Sequence, residues 1–271
     1  MDEVELLARH LRSARSGKLL VVTGAGISLA SGIPTFRGTD PDAIWTRDVT
    51  ELGTRRYFEE DPAGSWSWYL ARFDKVLQVE PNPAHHALVA LERWQLAGGG
   101  EFLLVTQNVD PLHERAGSQR LIKVHGSADR VRCSREGCRH GAPSGSLPRA
   151  DVDLESFRRE PALERVPRCP ACGALLRQHV LWFDEAYHEH DDYRFHEVRR
   201  YLRELDLVLC VGTSFSVGIT ESVVRAAGFT GAPLLVVDPN GVPGLPERLR
   251  TELRTPAEEL LPAVAARLGA A

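Results

Sequence analysis

Leu19-Leu20-Val21-Val22-Thr23, running straight into Gly24-Ala25-Gly26-Ile27-Ser28, is the stretch that decides the fold. A continuous apolar run this short buries both faces of a strand, as strands do inside a parallel sheet. The glycines then stop it in a tight turn. The same pattern recurs at Phe102-Leu103-Leu104-Val105-Thr106, Leu207-Val208-Leu209-Cys210-Val211 and Leu234-Leu235-Val236-Val237, with Lys123-Val124 as a shorter candidate. Amphipathic stretches separate the runs at Ala84 to Leu96, Arg194 to Leu205 and Ser222 to Ala227, and Val4, Leu7, Ala8 and Leu11 fall at helical spacing before the first. Buried strands alternating with helices predict an α/β chain: a Rossmann-like doubly wound parallel sheet covered on both faces.

Two segments interrupt this rhythm. Residues 39–79 carry aromatic residues without a strand pattern and predict a helical insertion. Residues 129–176 hold four of the five cysteines in a polar, Pro- and Gly-bearing stretch that needs a staple to fold. The parallel-sheet domain is therefore expected in three parts, 1–38, 80–128 and 177–271, around these two inserts. Cys133 and Cys138 form C-x4-C, and Cys169 and Cys172 form C-x2-C. Two close pairs supply the four thiolates of a closed, structural Zn2+ site, so the segment reads as a small zinc-binding module, one ion per chain. Cys210 lies inside an apolar run and reads as a core residue.

The 271 residues are 43% hydrophobic and 26% charged, which excludes a largely disordered chain. The net charge of -4 advertises neither a nucleic-acid nor a membrane partner, and no apolar run approaches the roughly 18 residues of a membrane span. The charged N-terminus lacks a signal-peptide core, so a cytoplasmic enzyme of unspecified oligomeric state is expected.

Strand ends concentrate the polar groups. Gly24, Ala25, Gly26 and Ser28 follow the first run, where glycines let backbone N–H groups approach a pyrophosphate ahead of a helix N-terminus, although a tight structural turn uses the same residues. Thr106-Gln107-Asn108-Val109-Asp110, Gly212-Thr213-Ser214 and Asp238 follow later runs, and Asp238 is placed to accept from a ribose hydroxyl. His125 ends the Lys123-Val124 run, where an imidazole can act as a base near neutral pH. On these grounds His85, His113 and His179 compete with it.

In their order along the chain, these motifs resemble the sirtuin family of NAD-dependent protein deacylases. The matching elements are Gly24 to Ser28, Ser31-Gly32-Ile33-Pro34-Thr35-Phe36-Arg37-Gly38, Thr106 to Asp110 with Leu112-His113, His125-Gly126, the cysteine pairs, His179-Val180-Leu181-Trp182-Phe183 and Gly212 to Ser214. The resemblance implies that NAD binds between the two domains and that the carbonyl oxygen of an acylated lysine attacks C1′ of the nicotinamide ribose. His125 would then take a ribose hydroxyl proton, giving free lysine, nicotinamide and 2′-O-acyl-ADP-ribose.

By position, Gln107, Asn108 and Asp110 would hold the ribose and nicotinamide, Arg37 would face the phosphates, and Phe36 would screen C1′. Ile33 and Thr35 would share that loop, Gly212, Thr213 and Ser214 would line the adenosine side, and Val180 and Phe183 would bind the acylated peptide. Tyr69 and Arg72 resemble the Y-x-x-R pair of the succinyl- and malonyl-removing branch; at i and i+3 of a helix they share a face. Tyr69 also falls on the apolar stripe Trp66, Tyr69, Leu70, Phe73, which makes a structural role the alternative. The sequence departs from the family at Asp184, Asp238 and Phe215 to Thr220. ADP-ribosyl transfer or NAD hydrolysis in the same cleft, and a nucleotide-binding module without catalysis, are the competing readings.

Overall fold

The computed structural model describes residues 2–34, 49–216, 218–242 and 245–270. The apolar runs become parallel strands β1 (Lys18–Thr23), β2 (Glu101–Thr106), β7 (Leu207–Val211) and β8 (Leu234–Val237), and β3 (Leu121–Lys123) and β9 (Thr251–Leu253) add the two edges. The order is β3-β2-β1-β7-β8-β9, every pairing parallel. The chain thus leaves β1 toward β2 on one side and returns to it through β7 on the other. In an open α/β sheet the crevice at such a reversal is where ligands bind.

Alternate residues of each strand face opposite layers. Leu19, Val21, Leu104, Leu209 and Leu235 pack under α1 (Glu3–Ser13), α5 (Pro83–Ala97) and α10 (Ala257–Leu268). Leu20, Val22, Val105, Val208, Cys210 and Val236 pack under α8 (Phe195–Tyr201) and α9 (Gly218–Thr230). Cys210 is fully buried there, as its run predicts. A fully buried Leu or Val contributes about 1.5–3 kcal/mol, so both faces are strongly specified.

The remaining described elements form a second body. Strands β4 (Gly126–Cys133), β5 (Leu147–Pro148) and β6 (Leu176–Val180) make an antiparallel sheet ordered β5-β4-β6. Residues 177–180 therefore lie in the small sheet, not the parallel one. Helices α2 (Val49–Leu52), α3 (Arg55–Glu60) and α4 (Pro62–Val76) precede it, and Trp66, Tyr69, Leu70 and Phe73 of α4 pack onto it in one core with Phe157 and Leu176. Trp66 Nε1 donates to the Leu176 carbonyl at 2.8 Å, satisfying the indole as it is buried. The short helices α6 (Leu112–Ala116) and α7 (Glu155–Arg159) complete the described α-helices. Among the described residues no helix is long and apolar enough to cross a membrane.

Candidate active site

At the β1/β7 reversal the two loops interlock. A Cβ on Gly26 would lie 2.6 Å from Gly212 Cα, and one on Gly24 2.7 Å from the Gly212 carbonyl oxygen. Only glycine permits that approach. The N–H groups of Gly24 and Gly26 donate to the carbonyls of Val211 (3.1 Å) and Gly212 (2.9 Å). They therefore join the two loops instead of pointing outward to a phosphate. The helix that follows the turn is a 3-10 helix, Ala25–Ser31.

The end of β2 supplies a connected set of polar groups. Gln107 Nε2 crosses the reversal to donate to Thr213 Oγ1 at 2.9 Å and to the Thr23 carbonyl at 3.2 Å. Asn108 Nδ2 donates to the Gly24 carbonyl (3.0 Å) and to Ser28 Oγ (3.1 Å), and Ser28 donates onward to Asp110 Oδ2 at 3.0 Å. Asn108 and Asp110 are buried, so the chain fixes their orientation in a low-dielectric edge where each bond counts for more. Burial pushes the Asp110 carboxyl above its usual range, against the Leu112 N–H and the Lys123 charge.

Ile33 is nearly buried and donates to the Ser28 carbonyl. Ser214 is exposed, and Phe215 beside it has a φ of 55°, a conformation bulky residues seldom adopt. Asp238 ends β8 half-buried and accepts from Asn240 N at 2.9 Å, closing its own turn. Thr35, Phe36 and Arg37 lie outside the described residues.

His125 sits against this edge. Its Nδ1 is 2.8 Å from the Gln107 carbonyl. A carbonyl only accepts, so Nδ1 carries the proton and the lone pair is on Nε2. Burial pushes the imidazole pKa down to about 4, opposed by the Gln107 bond, so the ring is neutral at pH 7. Of the competitors, His85 and His113 are buried beside each other with ring centroids 4.8 Å apart, and His179 is buried in β6.

The segment after β6 runs beside His125: Leu181 N donates to the His125 carbonyl at 2.9 Å, and Phe183 N to that of Gly53 at 3.0 Å. Val180 is buried, while the Phe183 ring is 52% exposed. Asp184 accepts from Arg55 N and Arg56 N at 2.8 and 3.2 Å, so this departure from the family caps α3. Tyr69 is 5% exposed, with its ring edge-on to Trp68, and shares one buried core with Trp182. The Arg72 guanidinium lies 4.1 Å from the Trp68 ring centroid and donates to the Trp68 carbonyl at 2.9 Å.

Two residues invisible in sequence complete the surroundings. Glu185 is buried against Arg132, Arg177 and Arg55. Tyr187 reaches His125 itself. Both lie in a charged stretch with no period, which reads as solvated loop; the unpaired arginines of two strands were the available signal.

The cysteines converge as their spacing predicts. The sulfurs of Cys133, Cys138, Cys169 and Cys172 all lie within 4.8 Å of one another, with Cys133 to Cys172 at 3.5 Å and Cys138 to Cys169 at 3.7 Å. A disulfide needs about 2.05 Å. Tetrahedral zinc with sulfurs at about 2.3 Å sets neighbouring sulfurs roughly 3.8 Å apart, which the cluster matches. His140 is not part of it.

Comparison with known proteins agrees with this arrangement. A protein of Thermus thermophilus named NAD-dependent protein deacylase is 40% identical over 260 residues, spanning 96% of this chain and 92% of its own length. The crystal structure of a Sir2 homologue–NAD complex is similar with a TM-score of 0.79 at 34% identity, covering 99% of this chain and 94% of that one. A Sir2–p53 peptide–NAD+ structure is similar with a TM-score of 0.78 at 26% identity, covering 100% of both. The sheet reversal, the imidazole beside it and the four-sulfur cluster thus occur together in a chain whose residues 24–218 match the Sir2 family profile, and the protein belongs to the Sir2 family.

Proposed function

We propose that the protein is an NAD-dependent protein-lysine deacylase in which His125 is the base, and that succinyl- and malonyl-lysine are among its substrates. One observation carries the first part: Nδ1 of His125 is committed to the Gln107 carbonyl, leaving Nε2 as a neutral acceptor at the edge of the sheet reversal. NAD, when bound, supplies a ribose carbon made electrophilic by departure of nicotinamide. The residues of the chain then have separable tasks. Nε2 of His125 takes a proton from a ribose hydroxyl. The Asn108–Ser28–Asp110 chain presents a fixed amide oxygen and carboxylate, and Gln107 holds the β1 and β7 loops in register. The interlocked glycines and Asp238 suit the phosphate and ribose side through small surfaces and an acceptor. Val180 and Phe183 border the acylated lysine. Zinc, held by Cys133, Cys138, Cys169 and Cys172, has a closed shell and acts only in folding.

The acyl preference rests on Tyr69 and Arg72. Tyr69 shares its core with Trp182, next to Phe183, and Arg72 lies one turn further along α4. A carboxylated acyl group would draw the Arg72 guanidinium from the Trp68 carbonyl into a two-pronged bond. The burial of Tyr69 favours the second reading, in which the pair is structural and uncharged acyl groups are preferred.

Purified protein with NAD and matched acetyl-, succinyl- and malonyl-lysine peptides tests both parts. Deacylation coupled to nicotinamide release, abolished by His125→Ala, is expected. Nicotinamide release with unchanged peptide would overturn the proposal in favour of ADP-ribosyl transfer or NAD hydrolysis. Arg72→Met should depress desuccinylation far more than deacetylation, and equal losses would make Arg72 structural.

A further inference from the structure

The one lone pair that this reading assigns to catalysis is already engaged. Tyr187, opening the 3-10 turn Tyr187–Glu189, places its hydroxyl 3.1 Å from His125 Nε2. Because Nδ1 holds the imidazole proton, the phenol is the donor in this bond. Burial raises the Tyr187 hydroxyl pKa, and the backbone N–H of Ile219 in the first turn of α9 partly offsets it. The phenol ring is stacked with His125, centroids 5.7 Å apart and planes 19° from parallel, and with Phe195, 4.4 Å and 17°.

The backbone carrying Tyr187 is tied down at each end. Glu185 is clamped by Arg132 and Arg177. His190 Nε2 donates to the Gly145 carbonyl at 3.1 Å, and Asp191 N to that of Pro143 at 2.7 Å. The hydroxyl is therefore presented to His125 by a fixed frame, with little ordering entropy left to lose when the bond forms.

An imidazole nitrogen has a single in-plane lone pair and accepts one good hydrogen bond at a time. A ribose hydroxyl and the Tyr187 hydroxyl cannot both occupy it. We propose that Tyr187 is an intramolecular competitor of NAD: its hydroxyl holds the lone pair of His125 and must be displaced before the ribose hydroxyl can be deprotonated there. Tyr187 is thus a positioning residue acting through His125, and part of the binding free energy of the dinucleotide is consumed in breaking its bond. This rests on His125 being the base of the proposed reaction.

Tyr187→Phe keeps the stacked ring and removes only the donor. In nucleotide-free protein, the nitrogen resonance of His125 Nε2 should move downfield as its hydrogen bond is lost. Calorimetry should show NAD bound about two- to tenfold more tightly by the variant, the range expected from removing one competing neutral hydrogen bond. KM for NAD should fall with it, while kcat stays within about twofold, since the competitor is absent from the productive complex. An unchanged Kd for NAD would overturn the proposal. So would a large loss of kcat at unchanged Kd, which would place the hydroxyl in the proton path. Failure of the wild type to bind NAD would bring down the deacylase reading and this proposal with it. Tight NAD binding that is indifferent to Tyr187 would remove the competitor alone.

Discussion

Glu185→Gln takes one negative charge out of a cluster in which it faces Arg132, Arg177 and Arg55. The Glu185 side chain is 0% exposed, and those of Arg132 and Arg177 are 3% and 5% exposed. Burial by itself pushes the Glu185 carboxyl up; the Arg177 charge and hydrogen bond, then Arg132 and the Trp182 N–H, overcome it and hold the pKa at about 2. Against an ordinary glutamate near 4.3, that displacement corresponds to roughly 3 kcal/mol of stabilisation at neutral pH. Removing one member of a buried ion pair independently predicts a loss of about 3–5 kcal/mol, because the neutral amide leaves two buried guanidiniums without their counter-charge.

For a domain of this size each kcal/mol lowers Tm by about 2–4 °C, so a fall of about 6–20 °C is expected. Urea unfolding should show the same loss as a lower midpoint at unchanged slope. The pH dependence separates charge from packing. The contribution of Glu185 is complete above pH ~4.3 and disappears as pH falls through about 2, so the gap between wild type and variant should narrow in acid. A fall in Tm below about 2 °C, or a gap that is constant with pH, would refute the account of this cluster as the electrostatic anchor of the segment.

Other perturbations follow from the same structure. Metal analysis should find about one zinc per chain, and Cys172→Ser or exhaustive chelation should release it and lower Tm, since binding free energy at a four-thiolate site adds to folding stability. Gly126→Ala should cost at least about 2 kcal/mol and most of the activity, because Gly126 has a φ of 80° and a Cβ there would run into the His179 carbonyl. Acid should destabilise the protein before its carboxylates titrate. Burial depresses His85 and His179 to about 4 and His113 well below its usual value, so the unfolded chain takes up protons that the folded one refuses as pH drops from ~6.5 toward 4. Each such histidine should steepen the loss by about 1.4 kcal/mol per pH unit across that window, read from urea midpoints.

The parallel sheet was legible because a strand buried on both faces has no polar residue to disguise it, and 19–23, 102–106, 207–211 and 234–237 all became strands of it. The edge strand β9, Thr251-Glu252-Leu253, was not, since an edge keeps one side wet and reads as loop. Strand β4 was missed for a different reason. Its charged residues Asp129, Arg130 and Arg132 argue against burial until Glu185, far along the chain, supplies the partner of Arg132. The four cysteines were legible because ligand chemistry constrains spacing directly. Tyr187 was not, because its role depends on a ring stack and a frame built by residues from several separate segments. Local sequence carries periodicity and ligand sets well, and long-range polar satisfaction poorly.

That long-range satisfaction has a consequence for how the two bodies communicate. The loop between the cysteine pairs is fastened to residues 184–193 through Gly145 with His190, Pro143 with Asp191, and Ser146 with Asp192, the last at 3.0 Å. Asp192 also meets His179 Nε2 at 3.1 Å, and the same short segment presents Tyr187 to His125 and Asp184 to the first turn of α3. Gly141 N donates to the Cys138 carbonyl at 2.8 Å and Gly145 N to that of Gly141 at 2.7 Å, so the four-cysteine cluster is joined to the imidazole by a continuous run of bonds. Loosening the cysteine cluster should free the His190–Asp192 anchors first, and with them the hydroxyl that competes for His125. A closed metal shell on these four cysteines would take no part in chemistry, yet its integrity would set how firmly the Tyr187 hydroxyl is held.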